Sequence, residues 1–529
     1  MSKLSFPARL GIILFSLGLA AVSTFAQPRH PDVASLSKDS REIFDISMKW
    51  GDQYWDPETK FLALPMSSYS ASSSLAGLTS QSNPTAPASG RHFLVRDSTW
   101  YAMGLLLRDQ SGDRDRAAQI LRAVLQEQYR EPGKPWDGTF RRTPEERPEL
   151  GSNAVMWRAY DPNWREFIGT AFVVILNEYP DRIPPDLPPA MLESINYAVA
   201  GEIKQGRLLP TYTNIALMYG FLWHFAAVRG NRPDWVAPAI EWQETVYKLF
   251  KQYDAFFEYN SPTYAGTDLG ALALEREYGF TPRMRAIGSE MEAGLWRAIA
   301  DLYNANLRNV SGPYDRAYGM DMQSYVSVVG LYLRTVLDED QAPLTKFDPP
   351  VDHVADLFFV PQIVILDTQI PPDAMKSFRS FQGEHQVRRQ ITDQRIATAW
   401  IGRTVIYGGE ITGKTKDVGA RSQFHPVTVQ WQMPSGKIGW IMLTHCPPID
   451  ASADQKQIVI STSGDVEFRI SAPGLSRRKV KVRRWTLPGL TVSVATDSKG
   501  FTVQQQGKFV DLKYAGITKM MLTIKNAAP

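Results

Sequence analysis

The chain has very little cysteine and histidine, and its charges nearly cancel. Its 529 residues include a single cysteine, Cys446, which excludes an internal disulfide and leaves stability to packing. The formal charge of +3 gives no general argument for nucleic acid as a partner. No HExxH, CxxC or calcium-loop spacing occurs, so we expect no dedicated metal site and no cofactor.

A short apolar run near the N-terminus is typical of a secretory signal peptide. Lys3 and Arg9 precede the run at residues 10–22, and small residues lead to Ala26 before Gln27. The run is short for a membrane span. We therefore expect residues 1–26 to be removed, giving a periplasmic or extracellular protein with no stable membrane insertion after cleavage. The alternative is an uncleaved anchor.

From residue 27 to residue 345 the pattern of apolar residues is helical. Apolar side chains recur every three to four positions, and proline or Gly-Asn-Arg-Pro stops separate the segments. The predicted helices are 37–54, 96–107, 113–129, 164–178, 189–204, 213–229, 238–256, 269–278, 282–304 and 320–338. Paired helices with short connections favour an (α/α) toroid over a simple bundle.

Beyond residue 346 the pattern changes to short segments with alternating apolar residues, separated by Pro, Gly and Asp turns. The predicted strands are 396–401, 427–433, 438–443, 457–461, 466–471, 480–487, 490–495, 501–505, 510–514 and 520–524. Such strands predict an antiparallel β-sandwich over residues 346–529. The fold class is therefore α+β with two domains, a toroid followed by a sandwich.

Two loops between helices carry an unusual number of proton-transfer and hydrogen-bonding groups. Residues 256–268 supply Glu258, Asn260, Tyr264 and Asp268, and residues 311–321 supply Tyr314, Asp315, Arg316, Tyr318 and Asp321. In the structural alternative the polar groups bond backbone at helix ends, with Thr267 or Asp268 capping the helix at 269–278, and the aromatic rings pack. Two loops at one end of a toroid would instead face the same cleft.

Polar and aromatic residues also stand at other helix entrances. Asn163 and Trp164 open one helix, Tyr212 and Asn214 open another, and Arg96 begins the helix at 96–107. For each of these residues capping or packing is the structural alternative, and substrate binding is the functional one. At the start of a sandwich strand, His425 is either a loop histidine or a proton-transfer group.

One motif is excluded by its context. Residues 408–415, Gly-Gly-Glu-Ile-Thr-Gly-Lys-Thr, match the P-loop pattern letter by letter. A phosphate site also requires a helix that begins at Lys414, and the sequence continues instead in β context towards Pro426. We therefore expect a hairpin at this position and no nucleotide partner.

In its architecture, over residues 40–529, the chain resembles the heparinase II/III and chondroitin-lyase type of polysaccharide lyase. The resemblance implies a toroid joined to β-sandwich sheets, and cleavage of a uronate-containing polysaccharide or oligosaccharide by β-elimination. In that group an Asn or Glu neutralises the uronate carboxylate, a Tyr or His removes the adjacent proton, and a Tyr protonates the leaving oxygen. The residues that would fill these roles here are Asn260, Tyr264, Arg316, Tyr318 and His425, and Glu258 is the catalytic candidate that would overturn this assignment.

Two alternatives from other classes stay open at this point. An inverting glycoside hydrolase on an (α/α) toroid needs two carboxylates with room for a water between them. Glu258 and Asp268, or either of them with Asp161, Asp315 or Asp321, would supply this pair. A non-catalytic glycan-binding envelope protein would have aromatic residues in its cleft and no proton-transfer group there.

Overall fold

The computed structural model describes residues 29–65, 90–146, 150–347, 351–419 and 422–526. The predicted signal peptide at residues 1–26 lies outside these ranges, and so does a segment rich in Ser, Ala and Pro at residues 66–89. Within the described ranges, we find no helix with both the length and the apolar character that crossing a membrane requires.

Helices dominate the first part of the chain. In chain order they are α1 (Lys38–Tyr54), α2 (Val95–Arg108), α3 (Asp113–Gln126), α4 (Trp164–Glu178), α5 (Leu187–Gln205), α6 (Thr213–Arg229), α7 (Pro233–Tyr253), α8 (Tyr264–Tyr278), α9 (Pro282–Leu302), α10 (Val328–Arg334), α11 (Val360–Leu366) and α12 (Pro372–Arg379). Short strand pairs interrupt them, formed by β1 (Leu62–Pro65) with β2 (Arg91–Leu94) and by β3 (Tyr303–Asn304) with β4 (Asn309–Val310).

The helices form a closed double ring. Helices α2, α4, α6, α8 and α11 each contact the next, and α11 contacts α2, which closes the inner ring. Helices α3, α5, α7 and α9 lie outside as hairpin partners. The inner helix α6 is buried almost all round, whereas the outer helix α7 buries one face, as its amphipathic sequence requires. The predicted (α/α) toroid is confirmed.

Some predicted helix ends are wrong, and one error concerns the central loop. Helix α8 begins at Tyr264 instead of residue 269, because the Ser261 Oγ accepts the Tyr264 N–H at 2.9 Å. Thr267 and Asp268 are therefore buried inside the helix and do not cap it. The helix predicted at 320–338 is only α10, which Ser327 caps. Helices also continue past the predicted domain boundary at residue 345, as far as Arg379.

The last third of the chain is antiparallel β-structure. Its strands are β5 (His385–Gln390), β6 (Ile396–Ile401), β7 (Val405–Ile411), β8 (Val427–Gln432), β9 (Ile438–His445), β10 (Asp450–Ala453), β11 (Gln457–Ser471), β12 (Val480–Lys481), β13 (Arg484–Leu487), β14 (Leu490–Thr496), β15 (Gly500–Gln506) and β16 (Phe509–Asn526). They pair in the order β12-β13-β14-β16-β11-β9-β8-β7-β6-β5, while β15 pairs with β16. Strand β10 pairs with both β7 and β11, so the sheet folds over one core that contains Trp431, Phe468 and Trp485. The predicted β-sandwich is confirmed in this folded form.

Two pairs of predicted strands are single long strands. Segments 457–461 and 466–471 join as β11, and segments 510–514 and 520–524 join as β16. The register between β11 and β16 shifts on both sides of Gly464, whose φ of +148° permits a bulge where a turn was predicted. Residues 408–415 form the end of β7 and a turn, and the Asp450 carboxylate accepts the backbone N–H groups of Thr412 and Lys414. No helix starts between Lys414 and Gly419.

Candidate active site

A cleft of about 420 Å³ opens where the inner helices α2, α4, α6 and α8 begin. Parts of loop 311–321 and the sheet-domain residue Gln423 complete its wall. Seven of the predicted site residues line it: Arg96, Asn163, Tyr212, Asn214, Tyr264, Arg316 and Tyr318. The two loops singled out in the sequence therefore face the same cavity.

Two phenols and one guanidinium form the centre of this wall. The Tyr264 and Tyr318 hydroxyls share a hydrogen bond. The Arg316 guanidinium lies over the Tyr264 ring, with Cζ 3.5 Å from the ring centroid. Burial raises the pKa of Tyr264 well above its ordinary value, while the charge of Arg316 acts in the opposite direction. Tyr264 therefore carries its proton at neutral pH.

Arg316 is fixed by both domains. Its Nη1 donates to the Glu258 Oε1 at 3.0 Å, and its Nε donates to the Gln423 Oε1 at 3.0 Å. Burial lowers the pKa of Arg316, but the neighbouring Tyr264 and Glu258 raise it more, so the side chain stays charged. Glu258 lies behind the guanidinium instead of lining the cleft, and burial raises the pKa of its carboxyl.

A second cation enters the cleft from the start of α2. The Arg96 guanidinium lies within 4.9–5.5 Å of the ring centroids of Trp100, Trp164 and Phe167, and its Nη2 donates to the Asp97 Oδ1 at 2.9 Å. Trp164 therefore packs against the Arg96 guanidinium and is itself buried. Two fixed guanidinium groups thus offer donors to an anionic ligand group, in a wall that also contains Asp161 and Asp356.

Amides supply the neutral polar part of the wall. The Asn163 Nδ2 donates to the Tyr212 hydroxyl at 2.8 Å, and its Oδ1 accepts the Arg207 Nη2 at 2.9 Å. Asn214 is 1% exposed, and among the described residues its Oδ1 has no hydrogen-bond donor. A buried amide oxygen without a donor favours a ligand hydroxyl at this position.

Several other predicted residues lie behind the wall. Asn260, at a φ of +55°, donates both amide hydrogens to backbone carbonyls, those of Ser311 at 2.7 Å and Pro313 at 2.8 Å. It thus holds the two loops together, and its amide is not presented to the cleft. Asp268 is buried beside Glu258, which together with burial raises the pKa of its carboxyl well above the ordinary range.

The structure places Tyr314 and His425 in the contact between the two domains. Their backbones exchange two hydrogen bonds, and the Tyr314 hydroxyl donates to the Val310 carbonyl. The His425 ring is buried, which lowers its pKa to about 4, so the imidazole is neutral above that pH. Neither side chain lines the cleft.

An ion cluster anchors the loop that carries Arg316. The buried Asp315 carboxylate accepts hydrogen bonds from Arg395 and Lys416 of the sheet domain and from the Tyr259 backbone N–H at 2.8 Å. Arg395 also donates to the buried Glu410 at 2.8 Å. Asp315 therefore has a structural role. Asp321, likewise named as a hydrolase carboxylate, accepts from Asn309 at 3.0 Å and does not line the cleft.

The sequence analysis overlooked or gave little weight to several cleft residues. Asp161 and Asp356 both line the cavity, and burial raises the pKa of each carboxyl. Trp157 is 47% exposed there, and a large exposed ring is suited to sugar stacking. Behind the wall, the His353 ring contacts Tyr318, with ring centroids 4.5 Å apart and the planes tilted by 30°.

Trp100 also lines the cleft, and the sequence held a local signal for it. Trp100 follows Arg96 by four residues on a predicted helix, so the pair shares one face. Asp356 and His353 lie outside any predicted element. Within the described ranges, no group of three or more His, Cys, Asp or Glu side chains is placed to hold a metal ion.

Comparisons with known proteins give a family and remote structural likenesses. The family model "Domain of unknown function (DUF8769)" matches residues 41–368, and "Domain of unknown function (DUF8770)" matches residues 381–518. No curated protein matches the chain. A crystal structure of heparinase III is 8% identical, with a TM-score of 0.43 over 95% of this chain and 87% of that one. A heparan sulfate lyase HepC mutant from Pedobacter heparinus is 12% identical, with a TM-score of 0.32 over 95% and 86% of the two chains.

Proposed function

The chain belongs to the DUF8769 family, and we propose that it is an enzyme that cleaves a uronate-containing polysaccharide by β-elimination. One observation carries the proposal. Tyr264 and Tyr318 share a hydrogen bond under the Arg316 guanidinium, in a cleft that also contains Arg96. This arrangement combines a proton-transfer pair with cations suited to an anionic sugar.

The cations account for the first requirement of the reaction. A uronate carboxylate repels the negative charge that develops when the neighbouring C5 proton leaves. Arg316 and Arg96 offset that charge, and Asn214 accepts a hydrogen bond from a sugar hydroxyl. The C5–H bond thereby becomes acidic enough for a phenolate to act as base.

The phenol pair accounts for the two proton transfers. The base form of Tyr318 takes the C5 proton; the C4–O bond breaks; and Tyr264 donates its proton to the leaving oxygen. Tyr318 is then neutral and Tyr264 anionic, and one proton transfer across their shared hydrogen bond restores the starting state. The raised pKa of Tyr264 suits it to the role of acid in this scheme.

A second candidate function is an inverting glycoside hydrolase. Asp161 and Asp356 both line the cleft, and burial raises the pKa of both carboxyls, as a general acid requires. Of the carboxylates named from the sequence, only Asp161 lines the cavity. The lyase remains the stronger proposal because the phenols and guanidinium groups form the centre of the wall.

The test is cleavage of sulfated and unsulfated uronate polymers, such as heparan sulfate, hyaluronan, alginate and polygalacturonate. A lyase produces unsaturated uronates that absorb in the ultraviolet. We expect Tyr264→Phe to lower kcat by about 10²- to 10⁴-fold, since a general acid is lost. The matched control is Tyr247→Phe on the outer helix α7, whose hydroxyl donates to Glu290 at 2.6 Å.

Each alternative has its own outcome. New reducing ends that form without ultraviolet absorbance, and that no longer form in Asp161→Asn and Asp356→Asn, would establish the hydrolase. If a polymer binds and none is cleaved, the protein is a non-catalytic glycan-binding protein. Unchanged elimination by Tyr264→Phe would remove the phenol pair from the mechanism.

We also propose that the protein is exported. The signal-peptide pattern at residues 1–26 supports this proposal. The backbone N–H groups of residues 29 and 30 donate to the Glu178 carboxylate at the end of α4. A cut after Ala26 would leave this contact, which we term the N-terminal anchor, intact. Mass spectrometry of the secreted or periplasmic protein should give Gln27 as the first residue, and a cytoplasmic protein that retains Met1 would contradict export.

A further inference from the structure

We infer that Arg207 is a positioning residue that acts through Asn163 to make Tyr212 a hydrogen-bond donor to an anionic oxygen of the glycan. The inference rests on the proposed function for its ligand, and it gives roles to three residues that the proposed reaction does not use. The chain Arg207–Asn163–Tyr212, which we term the orientation relay, runs from a buried ion cluster to the cleft.

The buried end of the relay is fixed by Glu202. The Arg207 Nε and Nη2 lie 3.2 and 3.0 Å from the Glu202 Oε2, which also accepts the Arg165 Nη1 at 3.0 Å. The side chains of Glu202 and Arg165 are each 1% exposed. A guanidinium that makes two contacts with a buried carboxylate keeps one orientation, because rotation would break its pairing with Glu202.

Arg207 decides which way the Asn163 amide points. A guanidinium has donors and no acceptor, so the atom 2.9 Å from its Nη2 has to be the amide oxygen. The amide nitrogen then faces the Tyr212 hydroxyl at 2.8 Å. The backbone is held as well, since the Asn163 N–H donates to the Asp161 Oδ1 at 2.9 Å. The amide therefore cannot flip without placing two donors against each other.

The orientation of Asn163 decides the polarity of Tyr212. The phenolic oxygen accepts the amide hydrogen, so its own proton has to point elsewhere. In the parts of the chain that the structure describes, no protein group accepts this proton, and Tyr212 lines the cleft. The hydroxyl is thus presented as a donor.

The neighbouring groups indicate the ligand atom. The Arg316 Cζ lies 5.8 Å from the Tyr212 ring centroid, so an oxygen bound by the hydroxyl also feels a positive charge. Asn214, two residues further on, offers an acceptor instead. The site therefore binds a negatively charged acceptor next to a donor. A sugar carboxylate or sulfate beside a free hydroxyl group has this pattern.

The decisive variant is Asn163→Asp. A carboxylate of the same shape still pairs with Arg207, but it has no hydrogen to donate, so Tyr212 has to donate to it. Tyr212 would then present a lone pair to the glycan. We expect kcat/KM to fall about 10- to 100-fold in Asn163→Asp and in Tyr212→Phe, with no further loss in the double variant. Asn306→Asp, an exposed site outside the cleft, is the control for the added charge.

A readout without turnover separates this inference from the proposed function. The ionisation of Tyr212 is followed by NMR of protein labelled with ¹³C at the tyrosine Cζ, assigned with Tyr212→Phe. Burial raises the Tyr212 pKa, Arg316 and the Asn163 hydrogen bond lower it, and Glu258 and Asp161 raise it. Because Asn163→Asp turns a donor into an acceptor, the midpoint should move upward.

Arg207 itself provides the last arm of the experiment. In Arg207→Ala the amide is free to flip, so we expect a smaller loss of kcat/KM than in Asn163→Asp, and Arg207→Lys should recover part of it. An unchanged Tyr212 midpoint in Asn163→Asp would overturn the relay even if cleavage is observed. If no polymer is cleaved, an upward shift of that midpoint still supports the relay while the proposed reaction fails.

Discussion

Replacing Arg395 by methionine should destabilise the contact between the two domains strongly. Its guanidinium is 5% exposed and donates to Asp315, to Glu410 at 2.8 Å and to the Phe257 carbonyl at 2.8 Å. Both carboxylates are buried, at 4% and 0% exposure. Without Arg395, Asp315 keeps its pair with Lys416, which is 31% exposed, and Glu410 has no salt bridge to another cation among the described residues. Removing one partner of a buried ion pair costs about 3–5 kcal/mol.

The loss of stability should depend on pH in a definite direction. Burial raises the Asp315 pKa, but Arg395 and Lys416 lower it more, so its contribution is present above the unfolded pKa and lost as pH falls through the folded pKa. Burial and Asp315 raise the Glu410 pKa, so its contribution is present below the unfolded pKa and lost as pH rises through the folded pKa. Removing Arg395 raises both pKa values. The variant should therefore lose more stability at pH 8 than at pH 5.

Urea unfolding followed by tryptophan fluorescence measures this loss. Arg389→Met is the matched control, because its pair with Asp301 is exposed and should contribute less than about 1 kcal/mol. Arg395→Met/Glu410→Gln should be more stable than Arg395→Met, since one buried charge has gone. A loss below about 1 kcal/mol, or the same loss at pH 5 and pH 8, would refute the reasoning.

Two further predictions concern stability. Asn260→Ala should lower the free energy of unfolding by about 1–3 kcal/mol, since two loop carbonyls lose their donor. Asn260→Gly should lower it less, because glycine accepts a φ of +55°. Equal thermal midpoints for the two variants would contradict this account. Glu178→Gln should lower the free energy of unfolding by about 1–3 kcal/mol, since Glu178 accepts the backbone N–H groups of residues 29 and 30 and the Tyr278 hydroxyl. Trypsin should then cleave faster after Arg29, and an unchanged cleavage rate would show that the N-terminal anchor does not depend on this carboxylate.

Element types were largely predictable because they depend on local patterns. The helix at 213–229 and the strand at 396–401 match at both ends, since their apolar spacing and terminal residues decide them. The predicted start of α8 was wrong because the Ser261 Oγ accepts the Tyr264 N–H and the helix already begins there, ahead of Asp268. Strand β10 and helices α11 and α12 were missed, because short elements have too few residues to show a period.

The meeting of the two loops at one cleft was predictable, but the side chains that line the cleft were not. Loops 256–268 and 311–321 meet at the cleft, as two connections at one end of a toroid should. Which of their residues face it depends on where α8 begins, and this start directs Tyr264 into the cleft and buries Asp268. Asp356 comes about 90 residues after loop 256–268 in the chain. It reaches the cleft because the helical ring closes, which no local pattern encodes.

The sequence by itself determined the helical and β halves, their order, and the two polar loops that end beside each other, because periodicity and turn chemistry act over a few residues. Only the tertiary structure decided that Tyr264, Tyr318 and Arg316 share one wall, that Asn260 and Asp315 hold that wall together, and that Arg207 orients Asn163. The physical reason is that burial and hydrogen-bond direction depend on neighbours that are distant in the chain.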